Sequence, residues 1–262
     1  MAELIAEKTS VARDFGGASA SYDEAARLQR HMGQRLLDLF AGCGPVDQIL
    51  DLGCGTGQFA EGLQQEWPGA SLAAVDLSEA MIRHAREHRS GSVRWAVADA
   101  ESLPFTDQSM DVIFSNLMIQ WCADPRPVLK ECLRVLRPGG RLMCSTLLEG
   151  TLAELAAAWQ VVDPGVSHIN RFESCHRLEQ QLLEVFAGAR VEQETIRLPY
   201  RSPLLLLNEL KSLGAQYKGE GRRRTLTAPG RIRRLCQAYE RESGQVFATY
   251  QAGYLVCQKS VG

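Results

Sequence analysis

The chain has 262 residues, 45% hydrophobic and 23% charged, with a formal net charge of −2. This is the balance of an ordinary folded chain and argues against a disordered, collagen-like or coiled-coil protein, while the length fits one large elaborated domain or two. No run of about 18 apolar residues occurs, which speaks against a spanning helix, and the opening MAELIAEKTSVARDF has acids and no apolar leader, so no signal peptide is expected.

Residues 1–44 read as mostly helical. From Tyr22 to Phe40, Ala25, Leu28, Met32, Leu36 and Leu39 recur at three- and four-residue spacing. Ala41-Gly42-Cys43-Gly44-Pro45 then breaks the pattern. Strands are expected at 48–52, 71–76, 93–98, 110–115 and 141–146. Between them, one helix ends near Trp67, a second spans Ser78 to Arg89 with Ser78 as N-cap, and a third spans Asp124 to Arg137. Pro138-Gly139-Gly140 is read as the stop of that third helix. Alternating strands and helices imply a parallel sheet covered on both faces. Right-handed crossovers make it an α/β, Rossmann-like, doubly wound sheet.

After residue 150 the pattern changes. Helices are expected at 151–162, from about 174 to Phe186, at 204–213 and at 231–241, with strands at 191–198 and 245–258. The sheet is then seven-stranded and mostly parallel, with helical lid insertions over the strand C-termini, where ligands of open α/β sheets sit. The expected organisation is a helical cover (1–44), a cofactor-binding core (45–150), a helical lid (151–189), and completion of the sheet with a basic helical insertion (190–262). Eight cysteines form no CxxC pair. Such residues act as small hydrophobes in a reducing compartment, which points to the cytoplasm.

The most informative stretch is Asp51-Leu52-Gly53-Cys54-Gly55-Thr56-Gly57. A dinucleotide site wants G-x-G-x-x-G/A, and Gln58 occupies its last position. The D-x-G-x-G-x-G spacing resembles motif I of class I S-adenosylmethionine-dependent methyltransferases; the bland alternative is a plain tight βα turn. Glycines let the backbone approach a ligand without a Cβ clash, and Asp51 supplies an acidic environment for the cofactor's ammonium group. Asp76 ends the second strand, where a carboxylate suits both hydroxyls of a ribose. The resemblance implies that Asp99, with Ala100, receives the adenine, and Leu77 and Met81 offer apolar cover. Asn116, Gln120 and Trp121 fall in a segment similar to the motif IV region, where methyl and acceptor meet, although Trp121 also reads as core filler. Leu136-Arg137-Pro138-Gly139-Gly140 matches the same class.

Other constellations are set aside. His84 and His88, at i and i+4, lack a third ligand, so no metal is expected. There is no G-x-S-x-G elbow. Arg222-Arg223-Arg224 is a short run without interleaved aromatics, so neither nucleic acid nor membrane is an expected partner.

Blocks across the chain carry a narrower resemblance. Phe15 to Asp23 with Leu28-Gln29-Arg30, Ser115-Asn116-Leu117 through Gln120-Trp121-Cys122, Ala158-Trp159-Gln160 with Val162-Asp163, His168 to Phe172, and Leu210 to Ala215 are similar to the biotin-pathway malonyl-acyl-carrier-protein O-methyltransferases. Where that family commonly has K-G-I-G-A, this chain has Lys211-Ser212-Leu213-Gly214-Ala215. The resemblance implies methyl transfer from S-adenosylmethionine to the free carboxylate of malonyl on acyl carrier protein. A carboxyl with a pKa of about 4 is already ionised, so no general base is expected. Arg171 is the first candidate to hold that carboxylate, then Lys211, while Tyr22 closes the pocket near the cofactor.

From Lys211 onward, ten Lys and Arg stand against three Asp and Glu. Arg222, Arg223, Arg224, Arg231, Arg233 and Arg234 are the expected docking patch for an acidic carrier; a solvated helix face is the ordinary alternative. Also left open are a methyltransferase for another small acceptor, such as a quinone precursor or a free acid, and a non-catalytic S-adenosylmethionine-binding or RNA-associated protein.

Overall fold

A computed structural model describes residues 9–10, 12–17, 22–23, 25–40, 44–215 and 228–261. Five runs pair in parallel: β1 (Gln48–Leu52), β2 (Ser71–Asp76), β3 (Val93–Val97), β4 (Met110–Asn116) and β5 (Leu136–Leu147); the central ones are apolar and buried on both faces, whereas the edge strand β3 is only half-buried. Two longer strands, β6 (Arg190–Tyr200) and β7 (Val246–Gln258), complete a seven-stranded sheet of order β3-β2-β1-β4-β5-β7-β6. β7 runs antiparallel to both neighbours. The order reverses between β1 and β4, and such a switch point opens a crevice at the strand C-termini.

Helices cover both faces. They are α1 (Arg27–Phe40), α2 (Ala60–Glu66), α3 (Glu79–His88), α4 (Arg126–Val135), α5 (Ala153–Val162), α6 (Cys175–Leu183), α7 (Pro203–Ser212) and α8 (Pro229–Ala238), and residues 12–17 are also helical. Strand residues alternate between two cores, as a period of two requires. Ile49, Leu72, Val112, Phe114 and Met143 face α1 and α2, whose Met32, Leu36 and Leu63 are fully buried. Leu50, Ala73, Ile113 and Leu142 face the other way, onto Val128, Leu129 and Cys132 of α4 and Leu178 and Leu182 of α6. Phe114 sits at the centre with its ring 5.2 Å from that of Phe59. Its truncation to alanine costs about 3–5 kcal/mol.

The elements match the periodicity, with three differences. β5 starts at Leu136 rather than Arg141. Leu136 pairs with Met110 before the register shifts to Val112 with Arg141, so Pro138-Gly139-Gly140 bulges inside the strand instead of ending a helix. The expected helix from Tyr22 is interrupted at Ala26, and α1 proper begins at Arg27. Finally, α5 begins at Ala153, because Leu152 takes a left-handed φ of 58°. Of the helices after residue 150, α6 packs on the sheet face with α4, whereas α5 packs on α8 and on β7, where Thr249 N–H donates to Glu154.

Candidate active site

The turn after β1 is built on β2. Gly53 and Cys54 both donate their N–H to Val75 O, at 2.9 and 3.0 Å. Gly55 N–H donates to Asp76 Oδ2 at 2.9 Å, and Ser78 N–H to Asp76 Oδ1 at 2.8 Å. Ser78 caps α3, its Oγ accepting from Met81 N–H. All three turn glycines have φ between 54° and 72°, a region open to glycine. They differ in purpose. A Cβ on Gly55 would meet nothing within 4 Å, whereas a Cβ on Gly57 would stand 2.4 Å from the Trp95 ring. Gly55 thus keeps the turn open to a ligand, and Gly57 makes room for Trp95.

Above the turn lies a cavity of about 210 Å³. It brings together Tyr22, Gly53, Gly55, Asp76, Leu77, Met81, Asp99, Ala100 and Asn116. Two expected residues stand outside its lining. Gly57 packs on Trp95, and Asp51 is buried behind the turn at 2% exposure. Burial, reinforced by the charge of Asp76, pushes the Asp51 carboxyl up to about 8. Burial also raises Asp76, while the backbone donors of Ser78 and Gly55 pull it back. A carboxylate has about four lone-pair sites. With one of these N–H groups on each oxygen, Asp76 keeps capacity for a diol. Asn116 reaches the cavity wall, but its amide is spent on the fold: Nδ2 donates to Gln29 O at 3.0 Å and Oδ1 accepts from Ser145 Oγ at 2.6 Å.

A second cavity of about 430 Å³ lies between α1, α5, α7 and α8. Phe15, Tyr22, Leu117 and Trp121 line both spaces, so the two cavities share one wall. Phe15 stands edge-on to Trp121 at 5.1 Å and to Tyr22 at 6.3 Å. The Tyr22 phenol is held far above its ordinary pKa by burial and by the charges of Asp76 and Asp23, and so stays neutral. Gln29 lines the second cavity, and its buried Oε1 has no hydrogen-bond partner among the described residues.

Of the two expected carboxylate holders, Lys211 lines the second cavity. Arg171 is exposed and absent from the lining, which its neighbours Asn170 and Phe172 join instead. The loop turns those two side chains inward and leaves Arg171 to solvent, so the geometry does not support a clamp at Arg171. Sequence reading also missed Phe15, Gln29 and His168; the HINRF block containing His168 was the signal for the last.

The N-terminal segment is tied down at the turn. Thr56 Oγ1 donates to Asp23 Oδ1 at 2.6 Å, Arg89 Nε donates to Thr56 O at 2.8 Å, and Arg89 pairs with Asp23. This places Tyr22 against both cavities. Of the six docking arginines, Arg233 and Arg234 are exposed on α8. Arg231, half-buried, is committed to Asp163 at 3.1 Å, and Arg222, Arg223 and Arg224 lie outside the described residues. His84 and His88 stack at 4.0 Å, and no group of three metal-ligating side chains occurs among the described residues.

Comparison with known proteins agrees with this layout. The "Methyltransferase domain" family matches residues 50–144. A malonyl-[acyl-carrier protein] O-methyltransferase of Methylococcus capsulatus is 43% identical over 246 residues, covering 92% of this chain and 89% of its own. The chain belongs to the malonyl-[acyl-carrier protein] O-methyltransferase family. A Hahella chejuensis member is 43% identical over 255 residues, covering 95% and 90% of the two chains. In fold, the YcgJ protein of Bacillus subtilis superimposes with a TM-score of 0.62 at 18% identity, covering 89% of this chain and all of its own.

The departure at Ser212 is accommodated in this fold. Ser212 ends α7, where serine is tolerated. The turn instead needs Gly214, whose φ is 67° and whose Cβ would lie 2.8 Å from Asp14 O. No helix among the described residues is long and apolar enough to cross a membrane.

Proposed function

We propose that this chain transfers the methyl group of S-adenosylmethionine to the free carboxylate of malonyl-acyl carrier protein. The product is the malonyl methyl ester that primes pimeloyl synthesis for biotin, and the reaction runs in the cytoplasm. The observation that carries this reading is the wall of Phe15, Tyr22, Leu117 and Trp121 shared by two cavities, one lined by the glycine turn and one lined by Gln29, His168 and Lys211.

The residues at the first cavity fit S-adenosylmethionine. Gly55 leaves room for its amino-acid end, Gly53 lines the same space and lets Met118 pack on the turn, Asp76 offers lone pairs to the ribose, Asp99 and Ala100 meet the adenine, and Leu77 and Met81 give apolar cover. Asp51 acts from behind the turn as a buried acid, and Gly57 and Asn116 hold the turn and the wall in place. The cofactor supplies an electrophilic methyl on a sulfonium.

The protein's task is positional. A carboxylate is already a nucleophile at neutral pH, so Tyr22 and Trp121 serve to exclude water and aim an oxygen at the methyl. Lys211 supplies positive charge on the acceptor side. A single cation favours attack, because a fork holding both oxygens would quiet the nucleophile. Helices α5, α7 and α8 form the lid, and the arginines of α8 with Arg222, Arg223 and Arg224 dock the acidic carrier.

The test incubates labelled S-adenosylmethionine with malonyl, acetyl and glutaryl carrier proteins. Label is expected on malonyl carrier and absent from acetyl carrier. Equal labelling of acetyl carrier, which has no free carboxylate, would overturn the reading.

A further inference from the structure

The acceptor cavity contains a histidine held more firmly than packing alone requires. His168 Nε2 lies 3.1 Å from Oδ2 of Asp163, and the imidazole stacks on Trp159 with ring centroids 4.0 Å apart and planes 19° apart. Asp163 is buried, and its other oxygen meets Arg231 Nη2 at 3.1 Å. Stacking fixes the plane of the ring and the carboxylate fixes its rotation. An ionised carboxylate only accepts, so the hydrogen sits on Nε2. In the neutral tautomer, Nδ1 is then a lone-pair acceptor, and it has no hydrogen-bond partner among the described residues.

The location indicates what it meets. Arg231, which steadies Asp163, is followed on α8 by Ile232, which lines the cavity, and then by the exposed Arg233 and Arg234. One helix therefore links a basic outer face to the wall holding His168. The wall shared with the first cavity, formed by Phe15, Tyr22, Leu117 and Trp121, does not include His168, and on the function proposed above the methyl is transferred at that wall. An acyl group delivered from an acidic carrier at the outer face trails its thiol arm between these two places. Such arms carry secondary amides, whose N–H groups are donors.

Resting on the function proposed above, we propose that Nδ1 of His168 accepts a hydrogen bond from an amide N–H of the arm that bears the acyl group. His168 then selects thioesters attached through an amide-bearing arm over short thioesters. It touches the arm, not the reacting atoms.

The test compares wild type, His168→Phe and His168→Gln on malonyl carrier protein and on malonyl S-methyl thioester, which has no amide. His168→Phe keeps a ring on Trp159 and removes the nitrogens; His168→Ala serves if that variant does not fold. The expected result is a KM about tenfold higher for malonyl carrier, the effect of losing one buried hydrogen bond. The kcat stays unchanged, as does KM for the short thioester, and His168→Gln recovers most of the loss. An equal change with both thioesters, or none with either, overturns the proposal. Wild-type enzyme that methylates neither malonyl thioester would instead overturn the functional reading beneath it.

Discussion

Gly55 donates its backbone N–H to the carboxylate of Asp76 across 2.9 Å, so the first loop and the end of the second strand form one unit. Asp76→Asn puts an amide NH2 against one of the two N–H groups that Asp76 receives, from Gly55 and Ser78. It also removes charge from the ribose side. Cofactor affinity is expected to fall at least about tenfold, since hydrogen bonds to charged groups contribute roughly 1.5–3 kcal/mol. Calorimetric titration with S-adenosylhomocysteine measures this, and unchanged affinity would show that Asp76 does not hold the ribose.

Asp51 predicts a pH dependence. Its carboxyl, raised to about 8 by burial and by Asp76, is protonated in the ligand-free fold at neutral pH. Because the folded pKa lies above the unfolded one, the protonated form favours folding. Its contribution is fully present below about pH 4 and is lost as pH rises toward 8. Asp51→Asn should flatten the pH slope of the melting temperature between pH 4 and 8. A cationic ligand nearby favours the ionised form, so cofactor binding should release protons near pH 7. Titrations in buffers of differing ionisation enthalpy will detect this, and zero proton release would contradict it.

Gly57 is predicted to matter for stability more than for ligand contact. Gly57→Ala adds a Cβ 2.4 Å from Trp95 at a φ of 71°. The left-handed backbone alone costs about 1–2 kcal/mol, and the clash adds to it. Denaturant unfolding should show this loss. In Gly57→Ala/Trp95→Leu only the clash component should disappear. A simply additive pair would mean that the contact with Trp95 is irrelevant.

The tie of Asp23 to Thr56 and Arg89 should act on the cofactor rather than on the fold. The Arg89–Asp23 pair is partly exposed, at 26% and 36%, which limits its worth to about 1 kcal/mol. Asp23→Ala should loosen Tyr22 and weaken cofactor binding several-fold while the melting temperature moves little. A large fall in melting temperature with unchanged cofactor affinity would reverse that assignment.

The α8 arginines separate into two kinds. Arg231→Ala leaves buried Asp163 one cationic partner short and should destabilise by about 1–3 kcal/mol. Reversing the exposed Arg233 and Arg234 to Glu should leave the melting temperature alone, raise KM for the carrier-borne acceptor and remove much of its salt dependence. Unchanged kinetics for the double reversal would remove α8 as a docking face.

The cofactor half was legible because its chemistry is local. Asp51 through Gly57 lie on one strand and turn, and Asp76 and Asp99 follow the next two strands in the same sense. Periodicity and spacing suffice there. Even so, spacing alone could not separate Gly55, which opens toward the ligand, from Gly57, which yields to a tryptophan 38 residues away. The acceptor half was less legible because its wall gathers Gln29, Trp121, His168 and Lys211 from four distant segments. In the HINRF loop the residue types by themselves do not indicate which side chain turns inward. Charge chemistry favoured Arg171, and the fold turned that residue out and His168 in, held by Asp163 and stacked on Trp159.

The placement of β7 has a consequence for redesign. Because β6 and β7 pair directly, α7 and α8 belong to a detour between two zipped strands and not to the parallel framework. The detour meets the rest of the fold at a few defined points: Glu209 pairs with Arg27 and accepts from Tyr200, Gly214 packs on Asp14, and Tyr239 donates to Phe247 O. Redesign of the acceptor side by grafting residues 201–245 from a relative therefore has to carry Glu209, Gly214 and Tyr239 along, so that the strands and the donor-side segment keep their anchors.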